Sequence, residues 1–478
     1  MFRNAILLSS AAMLLTMGSS QPAFAETMSM EEMQKQLEAL SQQVNNLSEV
    51  VEKQNKIIQQ QSASLETQDA QLLEHNEKLS QQSTLVENLA AINPAAGDDS
   101  DDVKITMNPM PKIESADGQY SFQPFGRVHL DVTHFDDDAF DHPSNGNFRR
   151  ARLGMKGNLG EDFKYKSEID FGEEGVNFKE VTLAYTGLES ADIKIGHQKP
   201  TFGMEQNTSS NYIMFIERSA PTNAFTRDEE IGLNILAGGD NWSLGGGVFN
   251  QDARPSGGDP DEDITFDVRG SVNLMGLSGD EDDDVLHIGA GYSHRKPEGM
   301  INFDAAPAGE GPDLIDTGAI GAVEHVEVYG FELASVIGPF SLQSEYFHAD
   351  VNRDNGNMDA EFDGYYGQIG WFFTGESRPY KGSSGNFKRV KPKNPFSLKN
   401  GGWGAWEILA RHESTDLNDR SAGIMGGELD NNSLGLNWYL TDRIRLMANV
   451  TDVDTDMNAN TAANDDPTVY NLRAQWDF

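Results

Sequence analysis

Tyr470-Asn471-Leu472-Arg473-Ala474-Gln475-Trp476-Asp477-Phe478 ends the chain. Side chains of an extended strand point alternately to its two faces. Tyr470, Leu472, Ala474, Trp476 and Phe478 therefore make one apolar stripe, and Asn471, Arg473, Gln475 and Asp477 make a polar one. The same period of two runs upstream from Tyr120. Val128, Leu130 and Val132 oppose Arg127, His129, Asp131 and Thr133. Ala151, Leu153 and Met155 oppose Arg150, Arg152 and Lys156, and Leu434, Leu436, Trp438 and Leu440 continue the pattern near the end. The polar faces carry charges of both signs, which a dry interior does not hold in such number. Turned inside out, the pattern is that of a transmembrane β-barrel, with apolar side chains toward lipid and charges around a watery lumen. Residues 120–478 accommodate sixteen antiparallel strands at about 22 residues for each strand and its connection, enough for strands of ~9–11 residues.

Composition removes other classes. The 478 residues hold 36 Lys+Arg against 76 Asp+Glu, a net charge of −40, and no Cys. No disulfide framework or thiolate chemistry is available, and nucleic acid would be repelled. No apolar run of ~18 residues follows the N-terminus, so helices do not carry the chain across a membrane.

The first quarter has a different period. Residues 1–25 read as a signal peptide, with Arg3, an apolar stretch from Ala5 to Met17, and the Ala23-Phe24-Ala25 cleavage pattern. From Met30 a heptad repeat begins. Met30, Leu37, Val44, Val51, Ile58, Leu65, Leu72, Leu79 and Val86 occupy one core position; Gln54, Gln61, Gln68, Gln82 and His75 interrupt the other. Residues 27–93 are expected to form a self-associating α-helical coiled coil, the roughly 60 residues of its heptads making a rod of ~90 Å at ~1.5 Å per residue. Asn93-Pro94 ends it, and 94–119 reads as a flexible acidic linker.

Several stretches resemble the phosphate-selective porin O and P family. They are Arg149-Arg150-Ala151-Arg152; Ile195-Gly196-His197-Gln198-Lys199-Pro200-Thr201-Phe202-Gly203-Met204-Glu205, followed by Thr208-Ser209-Ser210 and Glu217-Arg218-Ser219; Arg378-Pro379-Tyr380; Gly402-Trp403-Gly404-Ala405-Trp406-Glu407; and Leu436-Asn437-Trp438-Tyr439-Leu440. The C-terminal strand is likewise similar to those of bacterial outer-membrane proteins, whose final aromatic, here Phe478, is read by the barrel-insertion machinery. The resemblance implies a sixteen-stranded homotrimeric porin in the Gram-negative outer membrane, surrounded by lipid and lipopolysaccharide, and with it a parallel three-stranded coil of residues 27–93 on the periplasmic side. It also implies an inward-folded loop in each pore and, in some members, phosphate selection by lumen Arg and Lys. A basic residue often follows Thr-Ser-Ser in phosphate-selective members; here Asn211 stands there.

The residues expected to line the pore and contact anions are Arg127, Arg149, Arg150, Arg152, Lys156, Lys164, Lys166 and Lys194, with Glu217 and Arg218 in the inward loop. Strict alternation sets Arg149 and Arg150 on opposite faces unless a bulge turns one inward. Asp131, Glu168, Asp170, Glu180 and Asp192 share the basic face, so the same strands allow either an anion-favouring lumen or opposed charges with little selectivity. No catalytic motif is present, and no cofactor or metal is expected; Asp452, Asp454 and Asp456 lack the glycine of a calcium loop. Two functions remain open: a diffusion porin, or a structural tether from outer membrane to peptidoglycan through the coiled coil.

Overall fold

The computed structural model describes residues 103–107, 109–172, 175–250, 264–278, 284–297, 299–307, 311–457 and 464–478. The leader, the coiled coil and the start of the linker lie outside them.

Sixteen strands form the wall: β1 Ser121–Asp136, β2 Asn145–Asn158, β3 Phe163–Asp170, β4 Asn177–Tyr185, β5 Ala191–Gln198, β6 Glu230–Gly238, β7 Trp242–Asn250 and β8 Ile264–Asn273, then β9 Val285–Arg295, β10 Ile320–Ile337, β11 Phe340–Arg353, β12 Ala360–Phe372, β13 Ala405–Asp419, β14 Ile424–Tyr439, β15 Ile444–Asp456 and β16 Thr468–Asp477. Each pairs antiparallel with its chain neighbour, and β16 closes on β1 from Thr468↔Asp136 to Asp477↔Arg127. Phe478 finishes the seam by exchanging two 3.0 Å backbone hydrogen bonds with Gly126. Its ring lies where a Cβ on Gly126 would approach within 2.5 Å, so glycine is needed there.

Within the stretch read as linker, Lys104–Met107 and Pro111–Glu114 form a hairpin that adds to β1 through Ile113↔Phe122. The alternation of Ile105 and Ile113 with Lys104, Thr106 and Lys112 supplies the strand pattern.

The wall is inverted relative to a soluble protein. Leu434, Leu472, Ile369 and Phe331 are exposed on the outside, while Arg411, Glu413, Asn437, Arg445 and Arg473 are buried within. Aromatics edge the outer band at both ends. At the end where β1 begins and β16 finishes, Trp406 stacks on Trp438 at 4.8 Å and Phe340 on Trp371 at 6.0 Å. Tyr292, Tyr329, Tyr346 and Tyr365 mark the opposite edge. Such girdles belong at membrane interfaces.

One part of the lumen departs from the expected polarity. Val326, Val328, Phe347, Ala349, Val351 and Phe362 face inward from β10 to β12 and form an apolar patch. Residues 199–229, between β5 and β6, fold inside and cover it. Their two short helices are α1 Met204–Asn207 and α2 Ala220–Phe225. Phe225 packs on Phe347 and Phe303, the latter from the 296–319 connection. From the terminus-bearing end, residues 373–404 also turn inward. Asn386 Nδ2 donates to Asn207 O at 3.2 Å and Arg378 to Tyr212 O at 3.4 Å, so the two insertions meet.

Leu434→Arg, in the outer band of β14, is expected to destabilise the barrel by about 2–4 kcal/mol in bilayers. Reversible denaturant unfolding from vesicles measures this; a loss below ~1 kcal/mol would remove Leu434 from the hydrocarbon zone.

Candidate functional site

The inward segment 199–229 is held by its backbone carbonyls. Arg445 Nη1 donates to Ile213 O at 2.8 Å, Asn437 Nδ2 to Met214 O at 2.9 Å and Arg411 Nη1 to Glu217 O at 3.1 Å; Arg473 donates to Ile216 O. On the opposite flank, the Glu345 carboxylate accepts from the backbone nitrogens of Met204 and Glu205 at 2.6 and 2.8 Å. Phe215 is fully buried under the Arg411 guanidinium, 4.4 Å from ring centre to Cζ.

Glu217 is the central tie. Arg150 grips it bidentately at 2.5 and 2.8 Å, Arg473 reaches it at 2.6 Å and Arg149 Nε lies 3.6 Å away. Burial alone would raise this carboxyl's pKa, but Arg150, then Arg149 and Arg473, hold it well below the usual range. The double arginine reaches one carboxylate because β2 bulges: His129 pairs with Arg150 and Leu130 with Phe148, leaving Arg149 as the extra residue.

Beside this tie lies a cavity of about 370 Å³. Arg127, Arg149, Arg150, Arg152, Lys166, Lys194, Glu217 and Arg218 of the expected set all border it. Carboxylates thread the bases: Arg127 Nη2 is 2.9 Å from Glu168, Arg152 Nε 2.6 Å from Asp170, and Glu180 accepts from Lys166 at 2.6 Å and Lys194 at 3.4 Å. Arg218 donates to the carbonyls of Glu205, Gln206 and Thr208, so it secures the loop at the cavity edge. Lys156 and Lys164 stand apart, toward the terminus-bearing rim, Lys156 Nζ lying 5.3 Å above the Phe125 ring. Asn211 Oδ1 sits 3.0 Å from His129 Nε2.

Lys179, Lys199, Arg269 and Lys388 also border the cavity. Lys199 lies within the Ile195–Glu205 motif, and alternation alone places Arg473 inside, so both had a sequence signal. Arg269 alternates with Ile264, Phe266 and Val268 and so had the same signal; Lys388 had none, because only the inward fold of 373–404 brings it to this place. The lining holds eleven basic against five acidic side chains, in a chain of net charge −40. Burial, with repulsion from Arg218, lowers the Lys199 pKa to about 7.

A base with that pKa is charged below pH 7 and neutral above it. The cavity is therefore expected to lose positive charge as pH rises from 6 to 8, moving the reversal potential toward cations, and Lys199→Arg to abolish the dependence; reversal potentials across that range check it. Deleting Asn207–Asn223 is expected to raise single-channel conductance, and an unchanged value in a folded barrel would oppose an obstructing role for the loop.

Residues 122–478 match the family described as phosphate-selective porin O and P. Porin O of Pseudomonas aeruginosa is 29% identical over 413 residues, covering 77% of this chain and 90% of the relative. An uncharacterized protein of Caulobacter vibrioides is 29% identical over 377 residues, covering 74% and 73% respectively. Among solved structures, an anion-selective porin from Comamonas acidovorans aligns with 75% of this chain and 100% of its own, at 14% identity and a TM-score of 0.49. The match spans the whole closed wall, both insertions and the basic cavity between them, and the chain belongs to the phosphate-selective porin O and P family of outer-membrane porins.

Proposed function

We propose that this porin is a passive pore that favours small anions, phosphate among them, through the basic cavity beside the inward loop. The observation that carries the reading is the local excess of bases in a strongly acidic chain. A narrow lumen with low-dielectric walls focuses that field and raises the local anion concentration. Arg127 and Arg152 carry guanidinium forks of the kind that suits phosphate oxygens, Arg127 already donating to the Ser209 and Ser210 hydroxyls while it faces Glu168. The interleaved Glu168, Asp170 and Glu180 hold those forks in place and moderate their charge, so selectivity is graded rather than absolute. Arg149, Arg150 and Arg218 act mainly through the loop they fix. Lys156, Lys164, Lys166 and Lys194 continue the basic track along β2, β3 and β5.

The remaining assignments complete this reading. Residues 1–25 direct export, Phe478 presents the chain to the insertion machinery, and three copies assemble in a bilayer containing lipopolysaccharide. Residues 27–93 join the copies as a periplasmic coiled coil. Nothing in the barrel or in the family match supports a cell-wall tether.

Reversal potential in a chloride gradient is expected to show anion preference, and phosphate to reduce chloride current. Replacing Arg152 and Lys166 with Glu should move the potential toward cations; no movement would take these side chains out of the conducting path. Peptide 27–93 should sediment as a trimer, and a monomer at high micromolar concentration would refute the coil.

A further inference from the structure

On the outer side of the wall, away from the pore, His348 and Asp350 of β11 pair across the ladder with Asp363 and Glu361 of β12. Period two puts all four on one face. Tyr346 and Tyr365 lie next to them on that face, so the group sits where the apolar band ends, at the edge furthest from Phe478.

One potential ligand atom from each of His348, Asp350 and Glu361 lies within 4.8 Å of the other two. The second observation is the hydrogen bonding behind the imidazole. Nδ1 of His348 is 2.8 Å from Asp363 Oδ1, and the Tyr346 hydroxyl donates to the same carboxylate. Asp363 can only accept there, so Nδ1 carries a proton, and Nε2 faces Asp350 Oδ1 at 3.0 Å across a gap that either a second proton or a metal ion bridges. A carboxylate behind the ring, with further carboxylates before its other nitrogen, is how metal-binding histidines are oriented. The 3.0 Å separation is near the ~3.3 Å between ligand atoms of a tetrahedral site with bonds of ~2.0–2.1 Å. Glu361 is exposed, and a rotamer change can close its remaining gap. Charge argues the same way. Asp350 stands opposite Glu361 on one side and Glu327 on the other, and like charges directly opposite repel.

We propose that His348 Nε2, Asp350 and Glu361 bind one divalent ion of the zinc class. Asp363 orients the imidazole, and the fourth position is open to a solvent oxygen. The ligands lie two apart on each of two strands, so no single stretch has a metal-binding spacing; strand register alone assembles them. The competing state is an imidazolium donating to both Asp350 and Asp363, which excludes the ion.

The test uses the full-length porin in detergent, stripped with chelator and titrated with Zn²⁺ by calorimetry at pH 7.5. The wild type is expected to bind one more ion per chain than His348→Ala, while Asp363→Asn keeps that ion with affinity 10–100-fold weaker. Co²⁺ in place of Zn²⁺ should give tetrahedral visible bands in the wild type that vanish in His348→Ala. Glu361→Gln serves if His348→Ala does not fold, and unchanged conductance confirms the pore in each variant. Equal stoichiometry in wild type and His348→Ala, absence of binding at micromolar Zn²⁺, or an unaltered affinity in Asp363→Asn would each overturn the assignment.

Discussion

Every backbone N–H and C=O that crosses a bilayer must find its partner within the protein, because hydrocarbon offers none. The pairing of β16 with β1 meets that condition, since an open sheet would leave two edges of unpaired groups in lipid. Once the wall is closed, strict alternation fixes what each residue meets. Outward positions must be apolar, inward ones face a confined aqueous space, and the aromatics Trp406, Trp438, Tyr346 and Tyr365 mark the edges. The seam is completed by the last residue, Phe478, lying over Gly126.

A closed sixteen-stranded wall alone would enclose a wide channel, so function is set by what folds back inside. Residues 199–229 and 373–404 enter from opposite ends and meet through Asn386–Asn207 and Arg378–Tyr212. The inward arginines serve two purposes. Arg411, Arg445 and Arg473, on the late strands, are occupied by loop carbonyls. Arg127, Arg152 and Lys166, on the early strands, border the cavity. Glu217 joins the groups, pairing with Arg150 and Arg473 where the loop touches both sides of the seam. A buried carboxylate among three guanidiniums is stable only as a complete cluster, since removing one partner leaves charge unpaired.

The porin therefore separates its charges by surface. Acidic groups dominate the chain as a whole, and bases dominate the narrow cavity. Field strength at a constriction depends on nearby charges within low-dielectric walls, whereas distant exposed carboxylates are screened within about 10 Å at ~0.1 M salt. A net charge of −40 and an anion-favouring pore are compatible for that reason.

The period of two determined the barrel, its inside-out polarity and the inward direction of Arg127, Arg152, Lys166, Lys194 and Arg473, because alternation is a local property of the extended chain. The segment from about Thr201 to Arg227, too long for a tight turn, pointed to an insertion. Three matters were decided only in three dimensions. The bulge that turns Arg149 with Arg150 toward Glu217 depends on the register of β1 against β2, which no single strand contains. The apolar patch inside β10–β12 breaks the expected polarity because Phe225, from the insertion between β5 and β6, and Phe303, from the connection before β10, cover it. The placement of Lys388 at the cavity comes from the inward fold of 373–404, and that of His348 beside Glu361 and Asp363 from the register of β11 against β12. Alternation gives the direction of a side chain, and the neighbours it finds there are set by long-range pairing.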